Sequence, residues 1–221
     1  MTRPTTIVLA TANPHKIAEL RAILDKVSPG VRFLSITEAS GGRDIPEPSE
    51  TGTTFEQNAT IKAVAYARAL RHLCLADDSG LEIDALGGKP GVISSHYSTD
   101  GRETGVSRAE RDAANNARVL RELEGVSDPD RAARFVCVMV LADESGTRLH
   151  ISRGTFEGQI GIPPAVPRGT NGFGYDPLFL VAAAPHLCTK TSAELDDAEK
   201  NRLSHRGAAA RAMSRLLRAP A

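Results

Sequence analysis

Tryptophan is absent from the 221 residues, and aromatic side chains are limited to six Phe and three Tyr. Stacking platforms for single-stranded nucleic acid therefore have few residues to draw on. Neither sign of charge is in excess, since Lys and Arg number 27 and so do Asp and Glu. That removes the global basic footprint of a duplex-binding chain, while leaving room for a local basic pocket. Cysteine is down to Cys74, Cys137 and Cys188, with no C-x-x-C spacing, so neither a zinc site nor a disulfide framework is expected. Cys74 and Cys137 lie inside apolar runs and read as small hydrophobes. No window of about 18 apolar residues exists to span a membrane. Met1-Thr2-Arg3-Pro4 leads into a strand without an apolar leader. The expectation is a reduced, cytoplasmic, soluble protein with neither nucleic acid nor membrane as partner. What is present is ordinary for a globular chain, 41% apolar and 24% charged. The length suits one large domain or two small lobes sharing a core.

Strand and helix patterns alternate through the first half. Thr6 to Ala10 is β-branched and apolar and reads as a buried strand. Thr11-Ala12-Asn13-Pro14-His15-Lys16 follows, then Ile17, Leu20, Ile23 and Leu24 at helical spacing. Unpaired N–H groups at that helix start, with Lys16 beside them, suit a phosphate. An Asn-Pro turn with a solvated Lys is the other reading. Val31 to Ile36 predicts a second strand, and residues 37–52 a loop that brings Glu50 toward the next helix. Thr53-x-x-Glu56 reads as a capping box opening that helix. Its apolar stripe is Phe55, Ala59, Ala63, Tyr66, Ala67 and Leu70. Asn58 and Lys62, four residues apart, share a face at the edge of the stripe. Either a partner, a ligand or water at a cleft satisfies them, or the Lys stem snorkels outward.

Cys74 to Ala76 reads as a buried strand ending in Asp77-Asp78-Ser79-Gly80. The glycine predicts a tight reversal, with a new strand from Leu81 to Ala85. Two adjacent carboxylates repel and draw a divalent cation, unless one caps a turn and the other is solvated. Ser107-x-x-Glu110 predicts a capped helix through Ala114, Ala117, Leu120 and Leu123, with Asn115 and Asn116 exposed. Ala133 to Ala142 is the longest apolar run and reads as a central strand. Asp143-Glu144-Ser145-Gly146 turns it into an antiparallel partner from Thr147 on, continuing to Ile160. In Gly172-Phe173-Gly174-Tyr175-Asp176-Pro177 the glycines let backbone approach a planar ligand, and Phe173 or Tyr175 can stack on a base. Thr191-x-x-Glu194 is a third capping-box pattern, and Lys200 lies on a short helical stretch. Ser204-His205-Arg206 opens the last helix, either as an anion-binding arrangement or as an exposed pair. Alternating strands and helices followed by a strand meander predict an α/β fold with a mixed sheet.

Five ordered motifs resemble the inosine triphosphate pyrophosphatase family, the non-canonical purine nucleoside triphosphate pyrophosphatases. They are Thr11-x-Asn13-x-x-Lys16; Glu50-Thr51-Gly52 with Phe55-x-x-Asn58-Ala59-x-x-Lys62-Ala63; Ala76-Asp77-Asp78-Ser79-Gly80-Leu81 with Gly88-x-Pro90-Gly91; Gly172-Phe173-Gly174-Tyr175-Asp176-Pro177; and Ser204-His205-Arg206-Gly207. The resemblance runs from Ile7 to about Arg206. It implies one domain over residues 1–221, with an elongated two-lobed α/β fold, a mixed sheet and a central cleft. It further implies a homodimer and Mg²⁺-dependent hydrolysis of dITP, ITP or XTP to the monophosphate and pyrophosphate. By the same resemblance Thr11, Asn13, Lys16 and Lys62 contact phosphate, and Glu50 and Asp78 ligate the metal. Asp78 is also the proton acceptor, and Ser79 follows it in the substrate site. Phe173, Gly174, Tyr175, Asp176, Lys200, His205 and Arg206 form the purine-recognition set. One departure is Ile93-Ser94-Ser95-His96-Tyr97, where many relatives carry Tyr-Ser-Ala-Arg-Tyr. His96 lacks the permanent charge and fork of Arg, and no role is assigned to it.

The residue types suit that chemistry. Cleavage between the α and β phosphates needs a water activated by carboxylate and metal, and cations for the departing pyrophosphate. A donor from Arg206, His205 or a backbone N–H accepts a 6-oxo purine but meets the amino group of adenine donor to donor. Each such mismatch costs about 1–3 kcal/mol. Two other readings are a Maf-like pyrophosphatase acting on pyrimidine nucleotides and a non-catalytic nucleotide-binding module. Gly-Phe-Gly-Tyr-Asp and Ser-His-Arg argue against the former, and intact Glu50, Asp78, Lys16 and Lys62 against the latter.

Overall fold

A computed structural model describes residues 5–218. Met1, Thr2, Arg3 and Pro4, read above as the lead-in to the first strand, lie outside the described residues. Six strands form one sheet in the order β2-β1-β3-β4-β5-β6. They are β1 (Thr5–Leu9), β2 (Val31–Ser35), β3 (Leu73–Ile83), β4 (Ala132–Ala142), β5 (Arg148–Ile160) and β6 (Phe179–Val181). β1 pairs parallel to β2 and β3, whereas β5 and β6 are antiparallel, so the sheet is mixed as the pattern required. Among the described residues six α-helices accompany it: α1 (Pro14–Val27), α2 (Ile36–Ser40), α3 (Phe55–Leu70), α4 (Arg108–Glu122), α5 (Asp197–Leu203) and α6 (His205–Arg218). No helix among the described residues is long and apolar enough to cross a membrane.

The chain divides into two compact units. The first comprises Met1–Asp78, Cys137–Gly154 and His205–Ala221, the second Ser79–Val136 and Thr155–Ser204. The core of the first joins Ile7, Leu9, Leu20, Leu24, Leu75, Met139 and Met213. That of the second joins Leu81, Tyr97, Val119, Phe135, Phe156 and Phe179. Within the first, α6 approaches β5 at Gly154, where a Cβ would lie 2.3 Å from the carbonyl oxygen of His205 and 2.4 Å from the nitrogen of Ala209. Only glycine lets the backbones come so near, and this contact sets the height of His205 and Arg206.

Several local expectations change. The reversal expected at Gly80 does not occur, because β3 runs unbroken through Asp77, Asp78, Ser79 and Gly80. Cations from elsewhere in the chain neutralise the two carboxylates, so the strand need not end at them. The expected loop over residues 37–52 begins as α2, started by a Ser35-x-x-Glu38 capping box that the sequence displays. The box expected at Thr53 and Glu56 does not form, and the N-cap lies one residue later. Thr54 caps α3 by accepting from the nitrogen of Gln57, and Gln57 accepts in turn from Thr53. The box at Ser107 and Glu110 forms as expected, and so does the one at Thr191 and Glu194.

Candidate active site

Asp77 and Asp78 are neighbours on β3, so their side chains leave opposite faces of the strand. Each enters its own ion network in the first unit. Asp77 Oδ2 accepts from Lys16 Nζ at 3.1 Å and from Arg206 Nη2 at 3.3 Å. Arg206 Nη1 is in turn bound to Glu19. Asp78 Oδ1 accepts from Lys62 Nζ at 3.1 Å, and the same ammonium reaches Glu50 Oε1 at 2.9 Å. The outcome is a chain Glu19–Arg206–Asp77–Lys16 beside a triad Glu50–Lys62–Asp78.

Electrostatics separates the two aspartates. Burial alone would raise the Asp77 carboxyl, but Lys16 and Arg206 outweigh it and hold it well below the usual range. Burial pushes Asp78 up to about 6, and the like charge of Glu50 adds to that, against the pull of Lys62 and Lys16. Burial also works against the charge on Lys62, yet Asp78 and Glu50 keep it protonated, well above the ordinary lysine range. Asp78 Oδ2 is buried with no hydrogen-bond partner in the protein. A carboxylate that is buried, raised in pKa and open at one oxygen is matched to accepting a proton near neutral pH.

Local structure explains how these groups arrive. Asn58, one turn before Lys62 on α3, accepts from the backbone nitrogen of Gly52 at 2.8 Å. A Cβ at Gly52 would sit 2.6 Å from that Asn58 oxygen, so glycine is required at the close approach. Asn58 thereby fixes the Glu50-Thr51-Gly52 segment, and the polar pair on the α3 stripe is explained by what it holds. Thr11 and Asn13 build the turn before α1. The nitrogen of Asn13 donates to Thr11 Oγ1, and Asn13 Oδ1 accepts from the nitrogens of His15 and Lys16. The nitrogen of Ile17 donates to the carbonyl of Asn13, and Pro14 has no N–H. The expected free N–H groups at this helix start are thus already used, and the cation there is the Lys16 ammonium, paired with Asp77.

In the second unit Asp176 is the centre. Its Oδ2 accepts from Lys200 Nζ at 2.6 Å and from the nitrogen of Phe173 at 2.8 Å, and its Oδ1 from Ser192 Oγ at 2.8 Å. Asp176 and Lys200 are both buried, whereas Phe173 is half-buried. Tyr175 is a core residue, its hydroxyl donating to the carbonyl of Ser94 at 2.6 Å, so of the two candidate stacking rings Phe173 is the more exposed. Gly172 adopts φ +96°, and a Cβ there would lie 2.0 Å from Lys200 Nζ and 2.2 Å from Asp176 Oδ2. Gly172→Ala should therefore cost about 1–3 kcal/mol of stability. Thermal melting checks this, and a midpoint unchanged within a degree would contradict it.

Of the residues singled out in the sequence, Thr11, Asn13, Lys16, Glu50, Lys62, Asp78, His205 and Arg206 fall in the first unit. Ser79, Phe173, Gly174, Tyr175, Asp176 and Lys200 fall in the second. Sequence reasoning missed Glu19 and left Asp77 without a role. Glu19 lies three residues beyond Lys16 on α1, a spacing that puts both on one face and was the available signal. Asn115, expected to be exposed, is instead 1% exposed. It accepts from the nitrogen of Ser98 and donates to the carbonyls of Ser94 and Ser95. His96 contacts Glu103 and Arg111 at the surface of the second unit.

Two carboxylates drawn to one ammonium, one with an orphaned buried oxygen, form a hard-oxygen donor set that fits Mg²⁺. Among the described residues no three acidic, His or Cys side chains gather into a complete cage.

The chain is similar to known proteins over nearly its whole length. The model of the Ham1 family matches residues 7–216. A dITP/XTP pyrophosphatase of Exiguobacterium sp. strain AT1b is 46% identical over 205 residues, covering 93% of each chain. One from Nitratidesulfovibrio vulgaris is 45% identical, covering 96% of this chain and 95% of that protein. Among solved structures, a HAM1 protein from Coxiella burnetii superposes with TM-score 0.79 at 41% identity, over 96% of this chain and 98% of that one. A nucleoside-triphosphatase, dITP/XTP pyrophosphatase, from Mycobacterium abscessus gives TM-score 0.69 at 39% identity, covering 97% and 100%.

Proposed function

Because the chain belongs to the Ham1 family, we propose that it hydrolyses dITP, ITP and XTP to the monophosphate and pyrophosphate, with Mg²⁺ as cofactor and Asp78 as base. The names of its relatives support the substrate class. The observation that carries the mechanism is the Glu50–Lys62–Asp78 triad with its open buried oxygen. Glu50 and Asp78 would hold Mg²⁺, which when bound supplies neutralisation of charge on the triphosphate oxygens.

Asp78 Oδ2 takes a proton from the attacking water as the water oxygen bonds to phosphorus. The phosphorus–oxygen bond between the α and β phosphates breaks, and pyrophosphate leaves with the electron pair. Lys16 has one partner carboxylate among three N–H donors, and Lys62 has two, so both retain donors for phosphate oxygens. Thr11 Oγ1 accepts one hydrogen bond and keeps its own proton to give. His205, at the start of α6, adds a further donor. In the second unit we assign purine recognition to Phe173 as stacking ring and to the backbone held by Asp176 and Lys200. The family resemblance also supports a homodimer working in the cytoplasm.

Pyrophosphate release from a panel of dITP, ITP, XTP, GTP, ATP and dTTP tests the reading. With Mg²⁺ the first three should exceed ATP by about ten- to hundredfold in kcat/KM, and EDTA should abolish turnover. Fastest cleavage of dTTP would instead favour a pyrimidine enzyme, and no pyrophosphate from any substrate would end the proposal.

A further inference from the structure

Three side chains of α4 grip the segment on which base stacking depends, and the inference rests on the reading of Phe173 as the stacking ring. Arg108, Asp112 and Asn116 recur at four-residue spacing and so share one helix face. The guanidinium carbon of Arg108 lies 4.4 Å from the centroid of the Phe173 ring. Asp112 Oδ2 accepts from the backbone nitrogen of Gly174 at 2.9 Å, and Asn116 Nδ2 donates to the carbonyl of Gly174 at 3.1 Å. Both backbone groups of Gly174 are therefore held from α4, next to Phe173, whose backbone nitrogen donates to Asp176 Oδ2 at 2.8 Å. Gly174 adopts φ +64°, in the left-handed region that favours glycine.

We propose that Arg108, Asp112 and Asn116 form a clamp that fixes the plane of the Phe173 ring, making them positioning residues for base selection. A guanidinium stacked on a ring occupies one of its two faces. Lys200 Nζ also lies 6.0 Å from the centroid of the Phe173 ring, so a purine meets a ring whose approach both cations limit. Loosening the clamp lets the ring tilt. Binding of the base weakens, while chemistry at the phosphates is untouched.

Steady-state kinetics with ITP, paired with competitive inhibition by inorganic tripolyphosphate, tests the clamp. Tripolyphosphate carries no base. Asp112→Ala should raise KM for ITP about tenfold with kcat within about twofold, the loss of one hydrogen bond that orders the ring. Asp112→Asn keeps a carbonyl oxygen to accept from Gly174 and should restore KM to within about twofold. Tripolyphosphate inhibition should be unchanged in both. If Asp112→Ala fails to fold, Asn116→Ala carries the same test, with KM raised about fivefold. A parental KM in the Ala variant overturns the clamp, as does weakening of tripolyphosphate by the same factor or failure of the Asn rescue. Phe173→Ala separates the two ideas. If it raises KM while Asp112→Ala does not, the clamp alone fails. If it leaves KM unchanged, the stacking reading fails and the clamp falls with it.

Discussion

Asp78→Asn should lower kcat for ITP by about 10²–10⁴-fold while the protein melts at or above the parental temperature. The catalytic loss follows from removing the general base, whose contribution has that size. The stability half follows from burial. Asp78 is 6% exposed with Oδ2 unsatisfied, and its pKa is raised to about 6. A carboxyl raised on folding stabilises the fold fully only below its unfolded value, and that contribution is lost as pH rises through about 6. At pH 7.5 the ionised group therefore works against folding. The Asn variant removes the charge and keeps an oxygen for Lys62, while Glu50 still neutralises that ammonium. Stopped assays and melting curves on metal-free protein at pH 7.5 measure both halves. Parental turnover would remove Asp78 from its role, and a clear drop in melting temperature would refute the electrostatic account.

Arg206→Met should be the most damaging substitution for stability, costing about 3–5 kcal/mol. Arg206 is 2% exposed, and its guanidinium meets Asp77 and Glu19 inside the first unit. Its charge is held well above the ordinary arginine range by these carboxylates, against the opposing effect of burial. Methionine fills much of the volume but leaves the Asp77 carboxylate, itself 2% exposed, with Lys16 alone of the two cations described above. A buried carboxylate left with one cation in place of two is the source of the loss, so adding Asp77→Asn should recover part of it. Denaturant titration of the single and double variants measures the effect. A double variant no more stable than the Met single variant would show that the cost is packing, not charge.

Much of this architecture was legible from periodicity and caps, because those signals are local. The apolar stripe of α3 is the buried face, and the Ser107 box starts α4. The errors fall where distant residues decide. Gly80 after two aspartates reads as a reversal, yet Lys16, Lys62 and Arg206 neutralise the pair, the last from 129 residues away, and β3 continues. Asn115 reads as a surface residue of a polar helix until the carbonyls of Ser94 and Ser95 come to it. For the site, residue types pointed to phosphate and metal chemistry. The division of Asp77 and Asp78 between two networks needed the alternation of a strand that the sequence appeared to break.

The cap on α1 carries a last consequence. With its opening amides spent on Asn13, this helix offers an anion no rigid cradle of the kind that fits one phosphate shape. Under the proposed function, what would meet the nucleotide there is the point-like charge of Lys16, held on Asp77 and indifferent to whether the sugar is ribose or deoxyribose. Such an end would grip any polyphosphate alike, and discrimination among nucleotides would fall to other parts of the chain.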